Sequence, residues 1–265
     1  MVFQPGQATT VTDLDRLATY GRAFRKVGKS VVVVPLGTGV HAGHIQLIRA
    51  TRSLLGSIVM VTYAGAEEEI PDVFAEESVD VVYHGQLGGA EVRTPLDHLE
   101  DADEVARRVG AVLAAINATH ATDVVLGEKD FELLVAVQQA VTALRMEVRL
   151  HSVPTVRTAD GLAMSLRNAQ VPEDQREAAL ALPAALTAGA HVAERGAEAV
   201  LDTARGVFAA AGVEPAYLEL RDLGFGPAPV EGDARLLAAV ELGGVRLSDN
   251  VGVPVGIGFA NLPAQ

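Results

Sequence analysis

The chain has 265 residues, 49% of them hydrophobic, enough to bury the core of one large domain or of two modest ones. It contains no cysteine, which excludes disulfides, thiolate catalysis and cysteine metal sites, and fits a reducing, cytoplasmic location. With 34 acidic against 21 basic residues the net charge is -13, and no local Lys/Arg cluster offsets it, so nucleic acid is not an expected partner.

Taken in chain order, the first strong element is Val31–Val34, four β-branched residues that suit a central strand covered on both faces. Pro35, Gly37 and Gly39 stop it and permit a tight turn, after which a helix should start near His41, with Ile45, Leu47, Ile48, Leu54 and Leu55 on its buried face. Ser57–Tyr63 and Val79–Tyr83 read as strands, Asp103–Ile116 as an amphipathic helix, and Asp123–Leu126 as a further strand. The turn Gly127-Glu128-Lys129-Asp130 then leads into a helix over Phe131–Leu144 and a strand over Glu147–His151. Such alternation argues for an α/β domain with a parallel sheet wound on both sides, Rossmann-like in character.

Beyond Pro154 and Thr155 the pattern changes. Two alanine-rich helices are expected over Glu173–Arg195 and Ala197–Ala211, followed by strands at Ala216–Arg221, Arg235–Leu242 and Val245–Leu247, with Gly243-Gly244 as a hairpin turn. Residues 1–154 and 155–265 are therefore expected to form separate domains, the second a small α+β unit. The alanine-rich runs are broken by Pro183, His191 and charges well short of a membrane span, so a membrane is not an expected partner either.

His41 and His44 lie three apart and share a face at the start of a helix, where free backbone N–H groups and the helix dipole favour a phosphate. Gly43 between them lets a nucleotide lie close to the backbone. Two histidines at this spacing are by themselves ordinary core or surface residues; the strand and glycine turn before them change the reading. Lys129 is a point charge suited to a phosphate, Ser165 and Arg167 supply further donors, and Asp130 suits a ribose or a Mg²⁺-linked water. Together these residues describe an ATP site. Glu67–Glu69 read as a solvated acidic loop. His84, His98, His120, His151 and His191 show no metal-ligand spacing and read as structural or exposed, so no protein-held metal is expected.

Over Pro35–Ala50, Gly127–Asp130, the run Val153–Asn168 and Tyr217–Asp222, the chain resembles the pantothenate synthetases (pantoate–β-alanine ligases) of the nucleotidyltransferase superfamily, whose signature is His-x-Gly-His. The resemblance implies a homodimer in which a Rossmann-like N-terminal domain binds ATP and pantoate and a smaller C-terminal lid domain closes over it. It implies adenylation of a carboxylate by ATP·Mg²⁺ with release of pyrophosphate, then attack by the amine of β-alanine to give an amide and AMP. Residue by residue, it makes His44 the proton donor, His41 its partner at the phosphates, and Lys129 a further phosphate ligand. Gly127 and Asp130 fall around the adenosine, Val156 on the adenine, and Met164, Ser165 and Arg167 in a mobile phosphate-binding segment. Gly37 and Gly43 line the nucleotide side of the signature turn.

The acid half departs from the family pattern. Gly37 stands where the family's methionine packs on pantoate, and the family's Phe-Val-Asn-Pro-x-Gln-Phe after the second strand is missing. Glu69 and Leu133 align with the two glutamines that hold pantoate, Glu104-Val105 with a His-Phe pair, and Leu166 with the second serine of Ser-Ser-Arg-Asn. Three readings follow. The chain is a pantoate ligase or a ligase for another small carboxylic acid and amine; it is a non-catalytic nucleotide-binding paralogue with a regulatory role; or it transfers nucleotides to a phosphorylated or tRNA substrate, which the acidic charge and the Met164–Asn168 segment disfavour.

Overall fold

A computed structural model describes residues 3–65 and 70–257. The chain divides into two compact units, Met1–Glu128 with Glu132–Pro154, and Lys129–Phe131 with Thr155–Gln265.

In the first unit the elements run β1 (Thr9–Val11), α1 (Leu14–Lys26), β2 (Val31–Leu36), α2 (Ala42–Ala50), β3 (Ile58–Tyr63), α3 (Val73–Glu76), β4 (Val81–His84), α4 (Ala102–Thr119), β5 (Asp123–Gly127), α5 (Phe131–Ala143) and β6 (Arg149–Val153). All six strands are parallel, in the order β1-β4-β3-β2-β5-β6. The valines of β2 are fully buried and alternate between the faces. Val33 packs with Val109 and Leu113 of α4 and Val137 of α5, whereas Val32 and Val34 pack with Ile48 of α2 and Phe74 of α3. A strand covered on both faces has no place for the usual apolar-polar alternation, which is why it reads as an unbroken valine run.

The helix through His41 is shorter than its apolar spacing suggests. It ends at Ala50, because the Thr51 hydroxyl donates to the Ile48 carbonyl (2.6 Å) and the Ser53 hydroxyl to that of Ala50 (2.8 Å), satisfying carbonyls that a further turn would have used. Leu54 and Leu55 follow outside the helix, and Leu55 is 94% exposed.

In the second unit, α6 (Arg176–Ala179), α7 (Ala181–His191) and α8 (Ala197–Ala210) precede an antiparallel sheet of β7 (Pro215–Asp222), β8 (Gly232–Leu242) and β9 (Val245–Val255). The expected single helix over Glu173–Arg195 is broken. Pro183 has no N–H for the Ala179 carbonyl and its ring would crowd it, so one helix stops at Ala179 and the next takes Pro183 into its first turn. Leu182 and Leu186 of α7 and Val200, Ala204 and Phe208 of α8 pack with Leu236, Ala238 and Val240 of β8. Gly243 and Gly244, at φ 58° and 79°, turn β8 into β9 with Leu242 opposite Val245. β9 runs to Val255, eight residues beyond the expected Val245–Leu247, because Asp249, Asn250, Gly252 and Pro254 interrupt an alternation that backbone pairing with β8 nevertheless sustains.

Candidate active site

The strand order of the first unit reverses between β2 and β5: β3 and β4 lie on one side of β2, and β6 lies on the far side of β5. In an open α/β sheet the crevice beyond the C-terminal strand ends at such a reversal is where ligands bind. The residues that follow β2 and end β5, His41–His44 and Gly127, are those that the sequence singled out. A Cβ at Gly127 would touch Leu47 of α2 at 3.7 Å, so α2 packs beside the end of β5.

His41 is the N-cap of α2, with extended backbone at φ -138°, ψ 172°. Its ring folds over the helix start and Nδ1 accepts the Gly43 N–H at 3.1 Å. That bond satisfies one of the helix's orphan donors and leaves the ring proton of His41 on Nε2, directed away from the cap. The His44 ring stacks on it, centroids 3.8 Å apart and planes inclined by 26°. The helix N-terminus thus presents backbone N–H groups and two imidazoles, a donor set of the kind that suits a polyphosphate. Gly37 is exposed on the turn after β2, with open space where a Cβ would stand.

At the first turn of α5 the structure shows a residue that sequence reasoning passed over. Glu132, whose side chain is 6% exposed, accepts from Nδ1 of His98 at 2.6 Å and from the backbone N–H groups of Leu99 and Glu100 at 3.3 and 3.0 Å. The segment before α4 is thereby tied to α5. The same segment donates the Val92 N–H to the Ala106 carbonyl of α4 at 3.0 Å, and lies so close to that helix that a Cβ at Gly110 would fall 1.9 Å from the Ala90 carbonyl oxygen. Leu133 packs in one apolar cluster with Leu87, Val92, Leu96, Val105 and Leu126. Of the other two positions singled out for the acid, Glu104 is an exposed helix residue held by the Asp101 cap and by Arg107, and Glu69 lies outside the described residues.

In the second unit, Lys129 and Asp130 form an ion pair at 3.7 Å, and Lys129 Nζ also donates to the Ser248 carbonyl at 3.3 Å. Val156 and Met164 face each other across a hairpin, the Met164 N–H donating to the Val156 carbonyl at 2.8 Å. Ser165 caps the short 3-10 turn Leu166–Gln170: its hydroxyl oxygen accepts the Arg167 N–H at 3.2 Å, which leaves the O–H itself to donate elsewhere. Asn168 ties this turn back through Nδ2 to the Ala163 carbonyl at 2.9 Å. Lys129, Ser165, Arg167 and Asn168 line one small cleft together with Arg246, Ser248 and Asp249. Leu166, at 42% exposure, projects from the turn. Among the described residues there is no group of three or more His, Asp or Glu able to hold a metal ion, and no helix long and apolar enough to cross a membrane.

Against known proteins, the family model described as pantoate-beta-alanine ligase matches residues 77–252. The chain belongs to the pantoate–β-alanine ligase family. These are ligases that form a carbon–nitrogen bond. The pantothenate synthetase of Corynebacterium jeikeium is 39% identical over 292 residues, covering 99% of this chain and 95% of that protein. The pantothenate synthetase of Nocardia farcinica is 36% identical over 294 residues, covering 99% and 92%. Among solved structures, the pantothenate synthetase of Thermus thermophilus superposes with a TM-score of 0.79 at 23% identity over 92% of this chain and 98% of that one. The pantoate-beta-alanine ligase of Francisella tularensis, complexed with beta-gamma ATP and beta-alanine, superposes with a TM-score of 0.69 at 19% identity over 92% and 97%. At these identities the structural likeness establishes the fold, a six-stranded parallel sheet followed by a small antiparallel one.

Proposed function

We propose that the chain is an ATP-dependent carboxylate–amine ligase working through an acyl adenylate. The observation that carries this is the N-terminus of α2 at the sheet's reversal point, capped by His41 and stacked with His44. A carboxylate oxygen of the acid attacks the α-phosphorus of ATP in line, forming the acyl–phosphate bond as the bond to pyrophosphate breaks. The amine then attacks the acyl carbon, and AMP departs with the former carboxylate oxygen. His44 and the outward Nε2–H of His41 donate to phosphate oxygens as charge builds there, Lys129 and Arg167 neutralise the departing pyrophosphate, and the Ser165 hydroxyl donates a hydrogen bond to it. Gly127 and Asp130 border the adenosine, and Val156 and Met164 the adenine side. Mg²⁺ enters on the nucleotide, which supplies the oxygen ligands it prefers. No protein nucleophile is needed. By family expectation the enzyme is a cytoplasmic homodimer.

A second reading concerns the acid, and the placement of Leu133 favours it. An amide that would meet a hydroxy acid is replaced by a side chain packed against the buried apolar cluster of α4, β5 and α5, and the neighbouring carboxylate of Glu132 is turned to His98. Two lost amide hydrogen bonds cost about 1–3 kcal/mol together, roughly 5- to 150-fold in affinity. Pantoate is then a poor substrate and a different carboxylic acid the preferred one. The test is pyrophosphate release by the purified chain with ATP·Mg²⁺ and β-alanine, first with pantoate and then with a panel of small carboxylic and amino acids. Release that depends on an added acid and is lost in His44→Ala supports the ligase, and the acid that gives the highest kcat/KM decides between the two readings. ATP binding without release for any acid moves the protein to the non-catalytic, regulatory class.

A further inference from the structure

β9 is a mostly apolar strand whose middle is not. Asp249 and Asn250 are 2% and 3% exposed, between Leu247 on one side and Val251 and Val253 on the other. A buried carboxylate is unfavourable unless it is paired, and a well-packed apolar residue commonly serves stability as well or better. What these residues hold is therefore informative. Asp249 takes both arms of the Arg157 guanidinium, at 2.5 and 3.1 Å, and Arg157 donates further to the carbonyls of Asn250 (3.1 Å) and Gly161 (3.0 Å). Arg157 bridges to Ala163 in the hairpin closed by Thr158 N–H to Leu162 O and Gly161 N–H to Thr158 O, and that hairpin runs directly into Met164–Asn168. The residues flanking Asp249 hold Lys129 at both ends: the Ser248 carbonyl accepts from Nζ at 3.3 Å, and Asn250 Nδ2 donates to the Lys129 carbonyl at 2.8 Å.

We infer that Ser248-Asp249-Asn250 is a clasp, with Asp249 and Asn250 as positioning residues that set the Lys129 turn and the Met164–Arg167 segment in register with each other. The inference rests on the ligase reading for its consequence, since these are the groups assigned to the phosphates. Preorganisation of this kind is worth much in rate, because a misplacement of about 1 Å costs on the order of a hundredfold. Asp249 acts through Arg157, and Asn250 through the backbone of Lys129.

The test uses the whole chain, first without ligand. By hydrogen exchange, Asp249→Asn frees the amides of Gly161 and Met164 by roughly tenfold or more, and Asn250→Ala frees the 128–131 segment, while protection of the six-stranded sheet is unchanged. By titration with ATP, each variant weakens binding roughly tenfold, and Asn250→Ala adds nothing to Lys129→Ala because the two act as one unit. Unchanged exchange in the unliganded variants overturns the clasp, as does a double variant whose losses multiply. Should Asp249→Asn fail to fold, Asn250→Ala leaves the ion pair intact and carries the test alone. A wild-type chain that does not bind ATP overturns the ligase reading instead, and the exchange result still decides the clasp.

Discussion

A methyl group at Gly43 would stand 2.7 Å from His41 Cε1 and 2.9 Å from its Nδ1. Neither distance is tolerable, so Gly43→Ala must swing the imidazole off the helix start, breaking both the cap and the stack on His44. Loss of the cap costs about 1 kcal/mol of stability, and loss of the ordered pair is expected to lower pyrophosphate release about a hundredfold with little change in secondary structure. Thermal unfolding beside a turnover assay checks this; full turnover at an unchanged Tm would mean that His41 has no part in the chemistry. The pair itself was legible in the sequence, since three-residue spacing after a strand and glycine turn places both rings on one face. The bond from Gly43 was not, because it depends on the extended backbone of His41 at the cap. Glu132 was hidden for a related reason. A glutamate in the first turn of a helix ordinarily faces water and complements the dipole, and only the path of the 85–100 segment, which carries no periodicity, buries it.

At the level of elements, strands and helices that fill both faces of the sheet were legible from their apolar period. β1, with three residues, and α1, with only Leu17 and Gly21 buried, were not, since an edge strand and a largely solvated helix leave little pattern. The start of β5 shows what periodicity misses and chemistry supplies. Asp123 has a side chain 1% exposed and is bonded by Arg149 (2.9 Å), His151 (2.8 Å) and the Thr122 hydroxyl (2.7 Å), joining β5 to β6. Burial pushes its carboxyl upward, but the hydrogen bonds from Arg149, Thr122 and His151 and the charge of Arg149 outweigh that and hold it below its ordinary value of 3.8. The unfolded chain therefore binds the extra proton at a higher pH than the folded one. The stabilisation is complete above 3.8 and is lost as pH falls through the depressed folded value. Asp123→Asn should cost about 2 kcal/mol near neutral pH, with the gap in Tm between wild type and variant closing in strong acid. A gap that widens as pH falls would contradict the assignment.

For the molecule as a whole, the change of pattern at Pro154 gave an expectation of two domains; the chain divides into two compact units, and nothing in that pattern indicated that Lys129–Phe131 cluster with the second. Lys129 and Asp130 sit in a turn after a strand of the first and Phe131 opens the helix that follows, and only tertiary packing reveals their allegiance: the Phe131 ring lies 6.4 Å from that of Phe225 and 4.5 Å from the Arg235 guanidinium. Charge was legible throughout, and it bears on the remaining alternative, nucleotidyl transfer to tRNA. Binding to a nucleic-acid backbone draws on Lys and Arg that are free to replace counterions. Here the net charge is -13, and several arginines are paired with carboxylates: Arg49 and Arg52 with Glu77, Arg93 with Glu91 and Asp103, Arg149 with Asp123, and Arg157 with Asp249. At about 0.15 M salt, screening over about 8 Å leaves mainly local charge to act, and acidic residues outnumber basic ones 34 to 21. The chain should therefore leave tRNA unshifted in a gel at that salt, at concentrations where it binds ATP. Retardation of tRNA that weakens steeply with added salt would reveal a basic surface, and would move the adenylation chemistry from a small acid to a nucleic-acid substrate.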